Sequence, residues 1–416
     1  MNQSPFYSVV RLFPLFFFLA VNYATYLAMC RWIPSFRGKN RTFYWFLAVL
    51  AWAPFLYSLA SGFQRTEPWL RWLYYPALVW NLGQLIFLLL IPFVFLLIRW
   101  QQPSQQKVTE PLTAPTALPA SLHPEPLPND HVHKPGHVTR REWLQHTIKA
   151  VPLASLALAT EGVIGGDTRI RTPEYTLALP ALPRELDGLR IVHISDLHIG
   201  TFFPLHRLDF AFDLIADRQP DLLAITGDLI DDLTLLPETV RRFEQFTLPL
   251  GIHYCLGNHE HFRNPTLVRE SIRPSRINLL DNSCSSIANG ALEIVGVDYP
   301  MRTNGDSSAE VRKRYLQQAL EGASPDTFKL LLTHHPNGFM EAQQSGIPLT
   351  LAGHTHGGQA GVGDRSLFAF AYPYMRGWYE EKGHHLFVHS GLGHWFPFRL
   401  GCAAEIVTIV LRSAKA

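Results

Sequence analysis

The sequence predicts two unlike parts, an amino-terminal set of transmembrane α-helices and a larger carboxyl-terminal α/β domain. Three stretches without a charged residue, 12–30, 42–64 and 72–98, fill most of the first hundred positions. After residue 180, short apolar runs alternate with helix-like segments such as 208–218, 237–245 and 309–320, a pattern typical of a layered α/β fold. The two parts also differ in charge. The first hundred residues contain eight Lys or Arg and one acidic residue, whereas the rest of the chain contains 28 Lys or Arg and 33 acidic residues.

The three charge-free stretches favour a membrane domain of about three spans over residues 1–100. Each is long enough to cross a hydrocarbon layer of ~30 Å, and Trp residues stand near their ends as in an aromatic belt. The basic cluster Arg31, Arg37, Lys39 and Arg41 between the first two stretches predicts a cytoplasmic loop. Buried helices of a soluble protein are the alternative, and the first stretch could also be an uncleaved signal segment.

Residues 101–139 form a predicted linker. They contain eight prolines and few apolar residues, so they are expected to be semi-extended and without a core. The cluster of His131, His133 and His137 could bind a metal, although a solvated linker is the favoured interpretation.

Residues 140–170 contain a motif that is similar to a twin-arginine export signal. Arg140 and Arg141 are followed by the bulky Trp143 and then by a mostly apolar stretch at 150–166. The motif agrees with the basic loop in placing Arg140 and Arg141 inside, and it predicts that the α/β domain faces the periplasm across a bacterial inner membrane. The alternative is a short amphipathic helix on the inner surface, which would leave that domain cytoplasmic.

The α/β domain carries polar motifs directly after its short apolar runs. They are Asp196-Leu197-His198, Gly227-Asp228, Gly257-Asn258-His259-Glu260, Thr333-His334 and Gly353-His354-Thr355-His356. Apolar runs that end in Gly, Asp or Asn are typical of buried strands that stop at a loop, and ligands of open α/β sheets gather beyond the carboxyl ends of the strands. One motif alone could be an ordinary turn. The complete set predicts a metal site.

In order and spacing, these motifs over residues 189–411 resemble the calcineurin-like metallophosphoesterases, whose pattern is D-x-H, G-D, G-N-H-[DE], H and G-H-x-H. The resemblance implies a layered α/β/β/α metallophosphoesterase sandwich over residues 180–416. It further implies a ligand set and a catalytic acid. Asp196, His198, Asp228 and His356 would hold a first metal, Asp228 would bridge to a second completed by Asn258, His334 and His354, and His259 would be the acid. Glu260 stands where many members have Asp.

The residue types suit phosphoester hydrolysis on chemical grounds as well. Two divalent cations about 3.5–4 Å apart acidify a bound water and clamp the phosphoryl group. Imidazole, carboxylate and amide ligands favour Mn, Fe or Zn, and His259 could protonate the leaving oxygen. Most remaining histidines are predicted to be surface or core groups, whereas His335, next to His334, is ambiguous.

The substrate is less well predicted than the reaction. A membrane tether favours a lipid-linked phosphate. The chain also resembles the membrane-linked, twin-arginine-bearing branch of the calcineurin-like metallophosphoesterases, whose relatives include pyrophosphatases of UDP-2,3-diacylglucosamine in lipid A biosynthesis. That substrate is made in the cytoplasm, which conflicts with a periplasmic α/β domain. Arg263 and Arg399 are candidate substrate contacts. The charge distribution gives no support for nucleic-acid binding.

Two other functional classes and one disulfide remain open. A non-catalytic membrane sensing or interaction protein could retain the same fold, and a metal-dependent amidase could use similar ligands. Cys284 and Cys402 could pair in an oxidising compartment, because four scattered cysteines do not form a disulfide framework.

Overall fold

The structure is a computed structural model, and it describes residues 5–38, 40–60, 71–100, 140–301 and 306–414. The predicted linker with His131, His133 and His137 lies outside the described residues, as does Lys39 of the basic loop.

The amino-terminal part of the described chain is helical. Its long helices are α1 (Pro5–Trp32), α2 (Asn40–Ala60), α3 (Arg71–Trp100) and α4 (Arg140–Thr160), with a 3₁₀ turn at Pro34–Arg37. Within the described residues, Trp72–Leu96 of α3 is the one segment long and apolar enough to cross a membrane. Helices thus cover residues 12–30, 42–60 and 72–98, while the expectation of three spans stays a prediction.

The chain divides into two compact units, the first formed by Met1–Ala48 and Asn81–Ala157. A buried polar cluster joins three of its helices. The Asn22 amide donates to Oδ1 of Asn81 over 3.0 Å, and the Gln84 amide donates to Oδ1 of Asn22 over 2.9 Å. The Tyr44 hydroxyl lies 2.7 Å from Oε1 of Gln84. Polar groups buried between apolar helices are paired in this way because an unsatisfied group there is costly.

The second compact unit consists of Val49–Trp80 and Leu158–Ala416. Its strands are β1 (Ile170–Arg171), β2 (Glu174–Leu179), β3 (Arg190–Ile194), β4 (Leu222–Thr226), β5 (Ile252–Cys255), β6 (Ile277–Leu279), β7 (Ser283–Ile287), β8 (Leu292–Val297), β9 (Phe328–Thr333), β10 (Leu349–Ala352), β11 (Gly361–Val362), β12 (Arg365–Ser366), β13 (Gly377–Glu381), β14 (His384–Val388), β15 (Ala404–Glu405) and β16 (Val407–Ser413). Its shorter helices are α5 (Gly166–Thr168), α6 (Leu205–Ala216), α7 (Leu236–Gln245), α8 (Asn258–Arg263), α9 (Pro265–Ile272), α10 (Ser308–Leu320) and α11 (Gly338–Gln344).

Two six-stranded mixed sheets organise this unit. The first has the order β2-β16-β3-β4-β5-β6, in which β16 and β3 are antiparallel and the other neighbours parallel. The second has the order β13-β14-β10-β9-β8-β7, with a parallel centre and antiparallel edge strands. The predicted α/β fold is therefore confirmed, and both of its large sheets are mixed.

Alternation along the strands separates the core into layers. In β4, Leu222 and Ala224 belong to the cluster shared by both sheets, whereas Leu223 and Ile225 belong to the cluster shared with α6, α7 and α9. On the second sheet, Leu331 packs outward with residues of α10 and α11. Successive side chains of a strand point to opposite faces, so fully buried strands like these read as continuous apolar runs.

The segment that leads into the sheets is fastened to a distant loop. A π-helical turn at Glu161–Gly165 follows α4, and the carbonyl of Gly162 accepts the backbone N–H of Arg399 over 2.7 Å. A Cβ at Gly162 would lie 2.2 Å from the Phe398 ring, and one at Gly166 would lie 2.4 Å from the Arg399 carbonyl. Glycine is required at both positions for this close approach.

Candidate metal centre

The polar motifs follow the carboxyl ends of five neighbouring strands from the two sheets. Asp196 and His198 come after β3, Asp228 after β4 and Asn258 after β5 in the first sheet. His334 comes after β9, and His354 and His356 after β10, in the second sheet. The motifs converge at one rim, as expected for strand ends of an α/β fold.

Asp196, His198 and His356 form one buried cluster. The Nε2 atoms of the two imidazoles lie 3.1 Å apart, and Nε2 of His356 lies 3.4 Å from Oδ1 of Asp196. Their ligand-type atoms are close enough together to hold one metal ion.

Asn258, His334 and His354 form a second cluster. Oδ1 of Asn258 lies 2.9 Å from Nε2 of His334 and 2.9 Å from Nδ1 of His354. The two ring nitrogens are themselves 3.2 Å apart. An oxygen and two nitrogens thus point to one place.

The Asp228 carboxylate lies between the two clusters. Its Oδ2 atom is 3.7 Å from Nε2 of His198 and 3.2 Å from Nε2 of His334. Its other oxygen accepts the backbone N–H of His259 over 2.8 Å, which fixes the carboxylate plane. One oxygen of Asp228 therefore faces both clusters.

The donor set fits divalent cations. Imidazole nitrogens 3.1 Å apart can share at most one proton, so lone pairs remain aimed at a common point. A cation bound by neutral imidazole, carboxylate and amide oxygen would satisfy them, and mixed N and O donors of this kind suit Mn, Fe or Zn.

Contacts outside the clusters orient two of these rings. Nδ1 of His334 lies 2.7 Å from the Thr226 carbonyl, and Nδ1 of His198 lies 3.2 Å from Oδ2 of Asp231. With Nδ1 donating in each case, Nε2 keeps its lone pair toward the centre.

The charges at the site favour cations. Burial opposes the charge of Asp228, but His334 and His198 outweigh it and lower the pKa of that carboxyl. Burial also acts against protonation of His334, yet Asp228 outweighs it and raises the pKa of His334 to about 10. Burial, with help from His334, lowers the pKa of His354 to about 3. Asp228 thus attracts positive charge to its side of His334. A divalent cation there would take the place of the proton on His334, because an ionised carboxylate and a neutral imidazole are the forms that bind metal.

The ligand-bearing turns have unusual backbone conformations. Asp196, His198, Asp228, His354 and His356 all have positive φ, between 49° and 74°. Such φ values are uncommon for residues other than glycine, and they cluster at functional sites where the surrounding fold holds them. Five of the seven predicted ligands are therefore held in conformations that an isolated turn would avoid.

His259 lies beside the clusters and is oriented by a carboxylate. Its Nδ1 atom is 2.6 Å from Oδ1 of Asp231, and its ring centroid is 4.4 Å from that of His198. Asp231 also lies 3.4 Å from a guanidinium nitrogen of the exposed Arg263. Sequence reasoning missed Asp231, although its place three residues after Asp228 on the same loop was an available signal.

Glu260 has a structural role that the sequence did not indicate. Its buried carboxylate accepts the backbone N–H groups of Asp228 and Gly257 on Oε2, and those of Leu229 and Ile230 on Oε1. One side chain thus holds the loops after β4 and β5 together.

Arg399 differs from the expected substrate contact. It is 2% exposed, and its terminal nitrogens donate to the carbonyls of Ser390, Gly391, Gly393 and Cys402. With those donors occupied by backbone, Arg399 braces the loop behind Asp196 and His356.

The structure also bears on His335, which the sequence left ambiguous, and on the considered disulfide between Cys284 and Cys402. Nδ1 of His335 accepts the backbone N–H of Asn337 over 3.1 Å, so this ring supports a turn, although it lies against His354. Cys284 and Cys402 are both free thiols in the structure, and the Cys402 thiol is directed at the His356 carbonyl. The pairing considered from the sequence is therefore not formed.

Comparisons with known proteins find relatives named metallophosphoesterases over the region that carries these motifs. Residues 189–358 match the sequence profile described as calcineurin-like phosphoesterase. The chain is 29% identical over 298 residues to the uncharacterized metallophosphoesterase YkuE of Bacillus subtilis, covering 67% of this chain and 99% of that protein. It is 27% identical over 285 residues to an uncharacterized metallophosphoesterase of Helicobacter pylori (strain J99), and this match covers 66% of this chain and 72% of that protein. It is 27% identical over 290 residues to the transmembrane protein with metallophosphoesterase domain of Danio rerio, and this match covers 65% of this chain and 63% of that protein.

Proposed function

We propose that the chain, a metal-dependent phosphoesterase whose residues 189–358 match the calcineurin-like phosphoesterase profile, hydrolyses phosphoester or pyrophosphate bonds at a binuclear metal centre. The observation that carries this proposal is the position of Asp228, whose Oδ2 atom faces His198 on one side and His334 on the other. A carboxylate shared by two clusters is suited to bridge two ions.

The proposed ligands divide between the two ions. Asp196, His198, Asp228 and His356 would hold the first, and Asp228, Asn258, His334 and His354 the second. Bound divalent ions of this kind supply an acidified water and neutralise charge on the phosphoryl oxygens. A non-catalytic sensing domain would be expected to lack part of this set, whereas all seven side chains lie together here.

His259 is the proposed catalytic acid. Asp231 holds its Nδ1 atom, which leaves Nε2 as the proton-carrying nitrogen for the leaving oxygen. Arg263 is the proposed substrate contact, because its exposed guanidinium lies near Asp231 and can pair with a phosphate.

A membrane-bound protein with a lipid-linked substrate, such as UDP-2,3-diacylglucosamine, is the proposed physiological setting. The apolar segment Trp72–Leu96 supports a membrane tether, and one relative is named a transmembrane protein. The proposed topology is that of a multi-pass bacterial inner-membrane protein with a twin-arginine-like signal at Arg140 and Arg141 and the catalytic domain on the periplasmic face. Because UDP-2,3-diacylglucosamine is made in the cytoplasm, that substrate belongs to the alternative, cytoplasmic orientation, and a periplasmic domain would act on another lipid-linked phosphate.

The proposal is tested by Mn-dependent release of uridine monophosphate from UDP-2,3-diacylglucosamine by detergent-purified full-length protein, with a bis-aryl phosphodiester in parallel. Asp228→Ala and His259→Ala should lower both rates by about a thousandfold if the residues bind metal and donate the proton. His206→Ala, which changes an exposed histidine on α6, should retain full activity.

The outcomes separate the parts of the proposal. Cleavage of the nucleotide lipid, lost in both variants, would support the lipid-linked substrate and place the active site on the cytoplasmic side. Cleavage of only the diester would keep the chemistry and remove that substrate. No hydrolysis with Mn, Fe or Zn would contradict the proposed function.

A further inference from the structure

An apolar loop borders the metal centre, and the proposed chemistry does not use it. We name residues 362–373 the rim loop. Apart from Ser366, every residue in it is exposed, and Val362, Leu367, Phe368, Phe370 and Tyr372 are exposed large apolar side chains. Phe370 is 85% exposed and Val362 is 73% exposed. Soluble monomers rarely present such a contiguous apolar surface without using it to bind something.

The rim loop has a defined backbone. The N–H of Leu367 donates to the Ala360 carbonyl over 2.9 Å, and that of Ala371 donates to the Phe368 carbonyl over 2.8 Å. The N–H of Phe368 donates to the Ser366 hydroxyl over 3.0 Å. These hydrogen bonds satisfy backbone groups of the loop while its large side chains remain exposed. The loop therefore takes its shape from backbone hydrogen bonds rather than from packing of its apolar side chains against the domain.

The rim loop lies against the turn that carries His354 and His356. The Thr355 hydroxyl donates to the Met375 carbonyl just after the loop. Within the loop, Ser366 packs closely on the same turn, since a Cβ on Gly358 would lie 2.7 Å from the Ser366 hydroxyl. The Tyr372 ring is 6.2 Å from that of His335, which in turn lies 4.6 Å from that of His354. A surface bound by the loop would therefore lie next to the metal centre.

Charge around the rim loop identifies the kind of surface. Arg365 lies within the loop and is exposed, Arg376 follows it, and Arg171 lies 4.0 Å from Asp364. Three guanidinium groups thus lie in or near the rim loop, whose own twelve residues contain one carboxylate, Asp364. Aromatic and aliphatic side chains flanked by arginine are the composition of segments that enter the interface of anionic membranes, whereas the cores of protein interfaces are depleted in charge.

From this geometry, we propose that the rim loop inserts into the headgroup region of an anionic phospholipid bilayer. Phe370 and Leu367 enter the acyl boundary, and Arg365 and Arg376 pair with lipid phosphates. The same chain contains an apolar helix long enough to span a bilayer, which would tether the protein to a membrane. The consequence for substrate, a phosphate group presented at headgroup level by a lipid, rests on the proposed function.

The test uses the full-length protein in nanodiscs and needs no enzymatic activity. In a Cys30→Ser/Cys284→Ser background, a single cysteine is introduced as Phe370→Cys or, for the control, as Leu267→Cys, an exposed apolar position on α9. Each is labelled with an environment-sensitive fluorophore, and its emission is compared in phosphatidylglycerol nanodiscs with and without doxyl-labelled lipid.

Doxyl lipid should quench the label at position 370 by about twofold or more, and leave the label at 267 unchanged, if the loop penetrates the interface. Adding Arg365→Gln and Arg376→Gln should reduce that quenching. Equal emission at 370 with and without doxyl lipid, together with quenching by aqueous iodide, would overturn the proposal. Equal quenching at both positions would overturn it too, because the contact would then be unspecific. Hydrolysis of the bis-aryl diester by the same samples reports on the proposed function separately.

Discussion

Asp231 is the residue whose position adds most to the sequence-based description of the site. Its two carboxylate oxygens contact Nδ1 of His198 and Nδ1 of His259, at 3.2 and 2.6 Å. One side chain therefore orients a proposed metal ligand and the proposed acid together. Such partners of ligating histidines tune both ring orientation and basicity.

We expect Asp231→Asn to lower kcat about 10–100-fold, because an amide has one acceptor oxygen and cannot hold both rings. Asp232→Asn is the matched control, since Asp232 only caps the 3₁₀ turn at Leu233–Leu235 through Thr234. Steady-state kinetics on the bis-aryl diester across pH should show the loss in kcat and a shifted acidic limb for Asp231→Asn alone. Equal rates for the two variants would contradict the orienting role.

His253 offers a prediction about pH that is independent of the metal centre. It is buried on β5, its Nε2 lies 2.9 Å from the Leu250 carbonyl, and Asn278 donates to its Nδ1. Burial lowers the pKa of His253, against a smaller opposing effect of the Leu250 carbonyl. The folded protein therefore binds this proton less readily than the unfolded chain, whose His pKa is about 6.5.

The contribution of His253 to stability should be complete above about pH 7 and fall as the pH drops below about 6.5, by up to ~1.4 kcal/mol per pH unit. His253→Gln should flatten the dependence of the unfolding free energy on pH in that range. His206→Gln, at an exposed position, should leave the slope unchanged. An unaltered slope in the His253 variant would disprove the assignment.

Among the structural elements, the loops after β4 and β5 depend on a single buried carboxylate. Glu260 accepts four backbone N–H groups from these loops, and they carry Asp228, Asn258 and His259. Glu260→Ala should lower the free energy of unfolding by about 3–5 kcal/mol, since several buried donors would lose their partner. Thermal unfolding followed by near-UV circular dichroism, with metal content measured in parallel, checks this. A melting temperature no lower than that of Glu270→Ala, at an exposed position on α9, would contradict it.

Some strands could be recognised from the sequence and others could not, and the difference has a physical reason. β3 and β4 are buried on both faces, so their apolar runs were recognisable, as was the polar residue that ends each. β7 (Ser283–Ile287) and β13 (Gly377–Glu381) are polar edge strands. Pairing with β8 and β14 defines them, and such long-range pairing leaves little trace in the local sequence. The contact between Asp231 and His259 could not be predicted from local sequence either, because it forms only where the segments after β4 and β5 meet.

At the scale of the whole molecule, the side of the membrane that the phosphoesterase domain faces is the property with most bearing on substrate. If the proposed export signal operates, Arg140→Lys/Arg141→Lys should keep the domain in the cytoplasm while preserving charge. Protease treatment of spheroplasts should then degrade the domain in the parent protein and spare it in the variant. Arg37→Lys/Arg41→Lys, which also preserves charge, should behave like the parent. Protection of the domain in all three proteins would refute a periplasmic location.

The attachment of Gly162 to Arg399 affects how this enzyme can be produced without its helices. A fragment starting at residue 180, where the sequence suggests the α/β domain begins, would lack β1 and β2 as well as Gly162. It would expose the edge of β16, which normally pairs with β2, and unpaired strand edges promote aggregation. It would also release the Arg399 backbone from the carbonyl that holds it. Soluble fragments intended for crystallisation or screening should therefore begin no later than Leu158, where the compact unit resumes.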